Sequence, residues 1–308
     1  MASVTLAESA KLSQDLLVAG VIENVVTVNP IFQLMPFDQI EGNALAYNRE
    51  NALGDVQTLG VGDTITAKAA ATFTPVTALL KTLIGDAEVD HFLPTTRSNI
   101  NDQKAVQIAS KAKSIGRKYQ DLFINGNDST DPNAFDGLLN IVSAGQKTTP
   151  STDGDNLSFT IMDELLDKVK AKDGDVDFIM MNSRTLRSYF ALLRALGGAS
   201  IGEVITLPNG RQQPGYRGTP IFRNDYIPIN QTQGATTGSC TTIFAGCWDD
   251  GSRKVGITGL TPMINSGVFV SDVGEAESKN ELITRVRFYC GLAVFSDLAL
   301  AAAPGIKN

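Results

Sequence analysis

The chain has 308 residues, enough for one large domain or two ordinary ones, with 43% hydrophobic residues, 19% charged residues and a formal net charge of -7. No run of ~18 apolar residues occurs and the start, MASVTLAESAKLSQDLLVAG, is interrupted by polar positions, which excludes a membrane span and a secretory leader and predicts synthesis in the cytosol. The negative balance argues against a dedicated nucleic-acid reader while leaving passive containment open, and Cys240, Cys247 and Cys290, without any C-x-x-C spacing, read as reduced, partly buried thiols rather than a disulfide framework or zinc ribbon.

Residues 4–28 show helical spacing at Leu6, Leu12, Leu16, Leu17, Val21 and Val25, ended by Asn29-Pro30, and read as an amphipathic arm without a core of its own. From Asp38 to Thr77 the sequence turns to Gly, Ala and Thr with strand-like pieces such as ALAYNRE and DTITA, which predicts a long extended hairpin. Loops beyond ~12–15 residues inside a compact domain are usually functional or disordered, and an isolated hairpin is marginal in water. The expectation is therefore that this segment finds its partner surface on another copy of the chain.

Strand character resumes at 75–93, with Val76, Ala78, Leu80 and Ile84 expected on one face and the acids Asp86, Glu88 and Asp90 on a solvated one. Ser98 to Asn125 form the strongest predicted helix, ~40 Å long, with a stripe of Ala105, Ile108, Ala109, Ala112, Ile115, Tyr119, Leu122 and Phe123 and a stop at Asn125-Gly126. Its polar face carries Lys104, Lys111, Lys113, Arg117 and Lys118, a basic patch in an acidic protein, to face solvent, DNA or an acidic neighbour. An α/β region follows: a helix opened by a Thr160/Asp163 capping box, a short buried strand at Phe178 to Met181, and a helix capped by Ser183 and closed by Gly197-Gly198. Turns are expected at Pro208-Asn209-Gly210 and Asp249-Asp250-Gly251. The last clear element, Glu281 to Ser296, alternates Val286, Phe288, Cys290, Leu292 and Val294 against Arg285, Arg287 and Tyr289, as a long strand buried mainly on one face.

Catalytic patterns fail on context. Gly198-Ala199-Ser200-Ile201-Gly202 matches G-x-S-x-G, but a helix precedes it and a strand follows, the reverse of a nucleophile elbow, and the single His, His91, lies before the Ser. Asp173, Asp175 and Asp177 resemble the start of a calcium loop, yet Phe178 stands where Gly is needed and Arg184 where Glu is needed, so this run reads as a turn. No phosphate-binding glycine loop is found. The expectation is a structural protein with no catalytic residues, no cofactor and no metal.

The order of segments resembles the major capsid proteins of tailed bacteriophages, with the Hong Kong 97-like fold. LFINGND followed by AFDGLLN is similar to that family's spine-helix end and its F-x-G-L segment; FIMMNSRTLRSYFALLRAL, YRGTPIFRNDYIP, TTIFAGCWDDGSRKVGITG and ITRVRFYCGLAVFSDLALA follow in the family's order. The resemblance implies an α+β capsid fold: an amino-terminal arm at 1–37, an extended hairpin loop at 38–77, a peripheral domain at 78–157 with its spine helix at 98–125, an axial domain at 158–265, and strands returning to the peripheral domain at 266–308. It makes Tyr47, Arg49, Glu50, Asp63 and Lys68 candidate subunit-interface residues. Lys68 also lies where the type member carries a crosslinking lysine, but no partner Asn or activating acid is identified, so non-covalent packing is expected.

The implied partners are further copies in hexamers and pentamers, a portal, a separate scaffold, decoration proteins and double-stranded DNA held by confinement, with no membrane. The implied site of action is the virion capsid, assembled in the bacterial host cytoplasm. The rival readings are an encapsulin-type compartment shell and an enzyme of unrecognised family.

Overall fold

The computed structural model describes residues 31–97, 103–195, 204–207 and 210–307. The amphipathic pattern at 4–28, the start of the expected long helix at 98–102 and the G-x-S-x-G sequence at 198–202 lie outside the described residues.

After a helical turn at Ile31–Leu34, strand β1 (Phe37–Ile40) leads into a hairpin of β2 (Ala44–Ala52) and β3 (Thr72–Leu79), and β4 (Lys81–Asp90) follows directly. The long helix α1 (Gln103–Asn125) comes next, then β5 (Asp155–Asn156), α2 (Phe159–Lys168), β6 (Phe178–Met181) and α3 (Ser183–Ala195). Two short strand pairs follow, β7 (Val204–Thr206) with β8 (Gln212–Tyr216), and β8 with β9 (Thr219–Arg223), before β10 (Gln231–Gln233) and β11 (Thr236–Gly246). The chain closes through β12 (Ile257–Pro262), β13 (Val268–Glu275), β14 (Glu281–Val294) and β15 (Leu300–Lys307).

Two sheets organise these elements. In the smaller, β14 pairs with β4 along one edge and with β13 and β12 along the other, and β1 extends it parallel to β12. In the larger, the order is β5-β15-β11-β6-β9-β8-β7, with β10 on β11. Helices α2 and α3 cover one face of the larger sheet, burying Ile161, Leu165 and Tyr189 against Ile179, Met181, Ile243 and Ala301. Its other face contributes Phe178, Met180 and Phe244 to a second core shared with α1 and β14. At the centre of that core Tyr119 is fully buried, with its ring against Phe32, Phe37, Phe135 and Phe288. The apolar stripe of α1 is used unevenly: Ile115, Tyr119, Leu122 and Phe123 are buried, whereas Ala105 and Ala109 are exposed.

The expected stop of the long helix has a steric cause. Gly126 is bonded by its N–H to Leu122 C=O (2.8 Å) and accepts from Gly137 N–H (3.0 Å), and a Cβ at either glycine would strike backbone atoms of the crossing strand of chain. Close approach, not a left-handed backbone, therefore demands glycine at both positions. Phe135 and Leu138 on either side of Gly137 are buried in the main core, which accounts for the AFDGLLN segment.

Several local expectations are corrected. The hairpin pairs over Ala44–Ala52 and Thr72–Leu79, because residues 37–40 find a parallel partner in β12 instead. Ile84 points outward, 54% exposed, since the break at Leu80 resets the alternation and puts Ala87 and Val89 inside. Asp86 is not on a solvated face: it is paired with Arg285 across the strands at 2.7 and 2.8 Å. Helix α2 is capped by Ser158, whose Oγ accepts from Ile161 N–H (3.3 Å), and Asp163 instead accepts from the Tyr216 hydroxyl (2.8 Å). At α3 the cap is Asn182, whose Oδ1 accepts from Arg184 N–H (3.1 Å), one residue before Ser183. The turn at 249–251 joins the two sheets rather than closing a hairpin, β11 pairing with β6 and β15 while β12 pairs with β14. For the same reason strand membership does not follow the expected division at 265/266: β12 lies in the smaller sheet and β15 in the larger one. Nothing local to a strand reveals which distant strand it will pair with.

Candidate assembly surface

The hairpin divides at about residue 51. Its base is seated on the chain's own smaller sheet, where Leu45, Tyr47, Ala78 and Leu80 pack on Ile40, Leu260, Ala293 and Phe295. Tyr47 donates its hydroxyl to Val294 C=O (2.8 Å) and sets its ring edge-on to Phe295 (5.2 Å). Burial pushes the Tyr47 phenol up, against the opposing pull of Arg49. Arg49 donates to the carbonyls of Phe295 (3.1 Å) and Val294 (2.5 Å) and pairs with Asp297 (2.6 Å). Beside these contacts a crevice of about 250 Å³ separates β2 and β3 from the turn after α1, lined by Tyr47, Arg49 and Val294 together with Lys81, Asp128 and Phe135.

Beyond residue 51 the hairpin leaves the body. It is held together by its own polar groups: Gln57 Oε1 accepts from Thr66 N–H (2.7 Å), Thr66 Oγ1 (2.8 Å) and Ala67 N–H (2.6 Å), and Asp63 Oδ2 accepts from Gly60 N–H (2.7 Å). Its large apolar side chains face outward, with Leu53 78%, Val56 94% and Val61 109% exposed, and Ile65 and Phe73 more than half exposed. Four or more exposed large apolar side chains on one projection form a patch of the kind that marks an interaction surface. A further apolar set is exposed on the body, comprising Met263 and Ile264 in the turn before β13 and Val268, Val270 and Val273 along it.

The predicted interface residues thus fall into two groups. Tyr47 and Arg49 are engaged with their own chain at the hairpin base, while Glu50 is exposed at the end of that base and Asp63 and Lys68 are exposed on the outer part. The pattern of β2 and β3 signals the hairpin, but the apolar positions of its outer half, Leu53, Val56 and Val61, are spaced among glycines with no period that marks them. The signal available was large aliphatic residues in a segment with no amphipathic period. On α1 the basic face is partly neutralised within the chain, Lys104 pairing with Asp272 (3.0 Å) and Lys118 with Asp121 (3.5 Å).

Chemical groups elsewhere are structural. Cys240, Cys247 and Cys290 are buried free thiols, and burial pushes Cys247 up to about 11 and Cys290 up to about 12, away from the reactive thiolate. His91 Nε2 stands 3.5 Å from Glu275 at the end of β4. Asp177 closes the turn after α2, pairing with Lys172 (2.8 Å) and accepting from Trp248 N–H (2.8 Å). Among the described residues no group of three His, Cys, Asp or Glu side chains is placed to hold a metal ion, and no helix is long and apolar enough to cross a membrane.

Solved structures of the same architecture include the SrpI encapsulin of Synechococcus elongatus PCC 7942, with TM-score 0.72, 18% identity and coverage of 99% of this chain and 97% of that one. The capsid of an empty GTA particle gives TM-score 0.64 at 15% identity, with 99% of both chains covered, and the capsid of the Myoviridae phage XM1 gives 0.64 at 15%, with 99% and 100% covered. At these identities the likeness is one of fold. No curated protein matches the sequence. The sequence profile of the phage capsid family matches residues 12–301.

The chain belongs to the phage capsid family. As a major capsid protein it is a structural, non-enzymatic subunit that self-associates into an icosahedral shell, and its fold is the Hong Kong 97-like one, mixed α and β with a long helix. The capsid protein's function is therefore located in surfaces that cover one another, and among the described residues the projecting hairpin carries the most exposed large apolar side chains, Val56 and Val61.

Proposed function

We propose that this capsid protein forms hexamers and pentamers that close around double-stranded phage DNA, with the hairpin of each subunit laid over its neighbour. The carrying observation is the exposure of Leu53, Val56 and Val61 on a segment that projects from the body. A closed shell needs heterologous ring contacts whose rotation completes a circle, plus contacts between rings. Obligate contacts of that kind bury about 2,000 Å² or more, which a compact body reaches only by extending arms.

In this reading α1 and the smaller sheet make a peripheral domain, and the larger sheet with α2 and α3 makes an axial domain about the capsomer centre. A portal, a separate scaffold and decoration proteins act with it, assembly takes place in the cytoplasm of the bacterial host, and DNA is held by confinement and counterions. Glu50, Asp63 and Lys68 are the polar contacts of the hairpin with the neighbouring subunit. The likeness to an encapsulin supports a second reading, a compartment shell around protein cargo.

Sedimentation and negative-stain microscopy of the purified protein test the assembly: rings and closed shells are expected, and a small uniform oligomer under all conditions overturns it. Nuclease-protected DNA inside shells recovered from infected cells separates the phage reading from the compartment reading.

A further inference from the structure

We infer that Arg49 is a positioning residue for assembly: with Tyr47 it sets the angle of the hairpin in the free subunit, before any neighbour is present. This rests on the proposal that the hairpin covers a neighbouring subunit, and adds that its direction is built in by the chain itself. The guanidinium uses its whole fork on the end of β14, donating to the carbonyls of Val294 (2.5 Å) and Phe295 (3.1 Å) and pairing with Asp297 (2.6 Å), and it also lies over the Tyr47 ring at 5.7 Å. The side chain is only 20% exposed, so these bonds are sheltered from water on most sides. Tyr47 adds a bond to the same Val294 carbonyl (2.8 Å). Planar, three-point engagement of this kind fixes orientation as a flexible ammonium cannot.

Packing does not fill the space beside this clamp, which Tyr47, Arg49 and Val294 themselves help to line. There the crevice of about 250 Å³ lies between β2–β3 and the turn at Asp128 to Asp136, where Lys81 is held by Asp128 (3.1 Å) and Pro132 C=O (2.6 Å) rather than by the hairpin. With the clamp released, the hairpin base has room to tilt into that crevice. A long projection turns a small tilt at its base into a large displacement at Val56 and Val61. A preset angle removes the ordering cost from the association step, which is the general benefit of preorganisation.

Arg49→Met, which keeps an apolar stem over Tyr47 but removes every donor, tests this alongside Arg49→Lys and Asp297→Asn. Hydrogen exchange is measured on unassembled subunits and assembly by sedimentation. The expected result for Arg49→Met is exchange about tenfold or more faster in Ala44–Ala52 and Thr72–Leu79, with unchanged exchange in the Phe178–Met181 strand, and slower, less complete shell formation. Arg49→Lys recovers part of both effects, and Asp297→Asn shows a smaller version of both.

Faster exchange with normal assembly overturns the inference, as does unchanged exchange in the hairpin. Lost assembly with unchanged hairpin exchange makes Arg49 a contact to the neighbour instead, leaving the assembly reading intact. Failure of the wild-type protein itself to assemble overturns the assembly reading, not the clamp. If Arg49→Met does not fold, the exchange and assembly of Asp297→Asn decide the matter by the same criteria.

Discussion

Asp86 and Arg285 face each other across β4 and β14 through two bonds of 2.7 and 2.8 Å, with the carboxylate side chain only 10% exposed. The Arg285 hydrogen bond, together with the charges of Arg285, Arg287 and Lys111, holds the Asp86 carboxyl below the usual carboxylate range, against the opposing pull of burial. A lowered carboxylate pKa contributes stability at pH above its unfolded value of ~3.9, and that contribution is lost as pH falls through the folded value. Asp86→Asn should therefore be less stable than wild type at neutral pH, and the two should converge in strong acid, as read from urea midpoints across that range. The thiols give a second residue-scale expectation. Cys240, Cys247 and Cys290 are buried, two of them pushed up by burial, so a thiol reagent at mildly alkaline pH should label none of them in the native subunit and all in denaturant. Rapid native labelling would mean that the cores around β11 and β14 open easily.

At the scale of the element, the hairpin is two objects joined end to end. Its base belongs to the fold, through the cluster of Leu45, Tyr47, Ala78 and Leu80 on β12 and β14, while its outer half contributes no buried apolar side chain to the body. Removing residues 43–74 would cut into that cluster, so the informative deletion is smaller. Replacing 54–70 with a tight turn that preserves the Glu50 to Phe73 pairing should leave the calorimetric melting temperature within about 2 °C of wild type, since no core is lost. The same variant should form no shells by sedimentation. Normal assembly of the shortened protein would place the essential contacts elsewhere, with the exposed row on β13 the next surface to examine.

At the scale of the whole molecule, the low charged fraction of 19% acquires a meaning that composition alone did not supply. In a protein built to be covered by its own copies, much of the monomer surface is interface, where charge is costly to desolvate and is depleted from the contact centre. A subunit charge of -7 still repels its copies, and the exposed apolar residues of the hairpin still attract them. Salt screens the first effect and leaves the second in place. Raising NaCl from low ionic strength to about 0.5 M should therefore lower the concentration needed for assembly, as measured by light scattering. A rise in that concentration would mean that ion pairs between subunits, such as those available to Glu50, Asp63 and Lys68, dominate the contact.

What the sequence determined by itself was local and periodic. The 3.6-residue stripe from Ile115 to Phe123, the unbroken apolar run Phe178 to Met181 and the alternation from Val286 to Cys290 specify a helix, a buried strand and a half-buried strand, because a regular backbone repeats its side-chain directions, whereas from Cys290 to Val294 the hairpin base covers the second face and every residue is buried. The glycine-rich hairpin was legible for the opposite reason, as a segment with too little to bury. Cap positions slipped by one or two residues, since Ser158 and Asn182 compete with neighbours of similar chemistry for the same orphan N–H groups. Only the tertiary structure decided that β12 joins β14 and β15 joins β11, that Asp86 meets Arg285, and that Arg49 turns inward to the end of β14. Those outcomes depend on which distant segments share a core, and residues separated by some 200 or more positions leave no local imprint of their meeting.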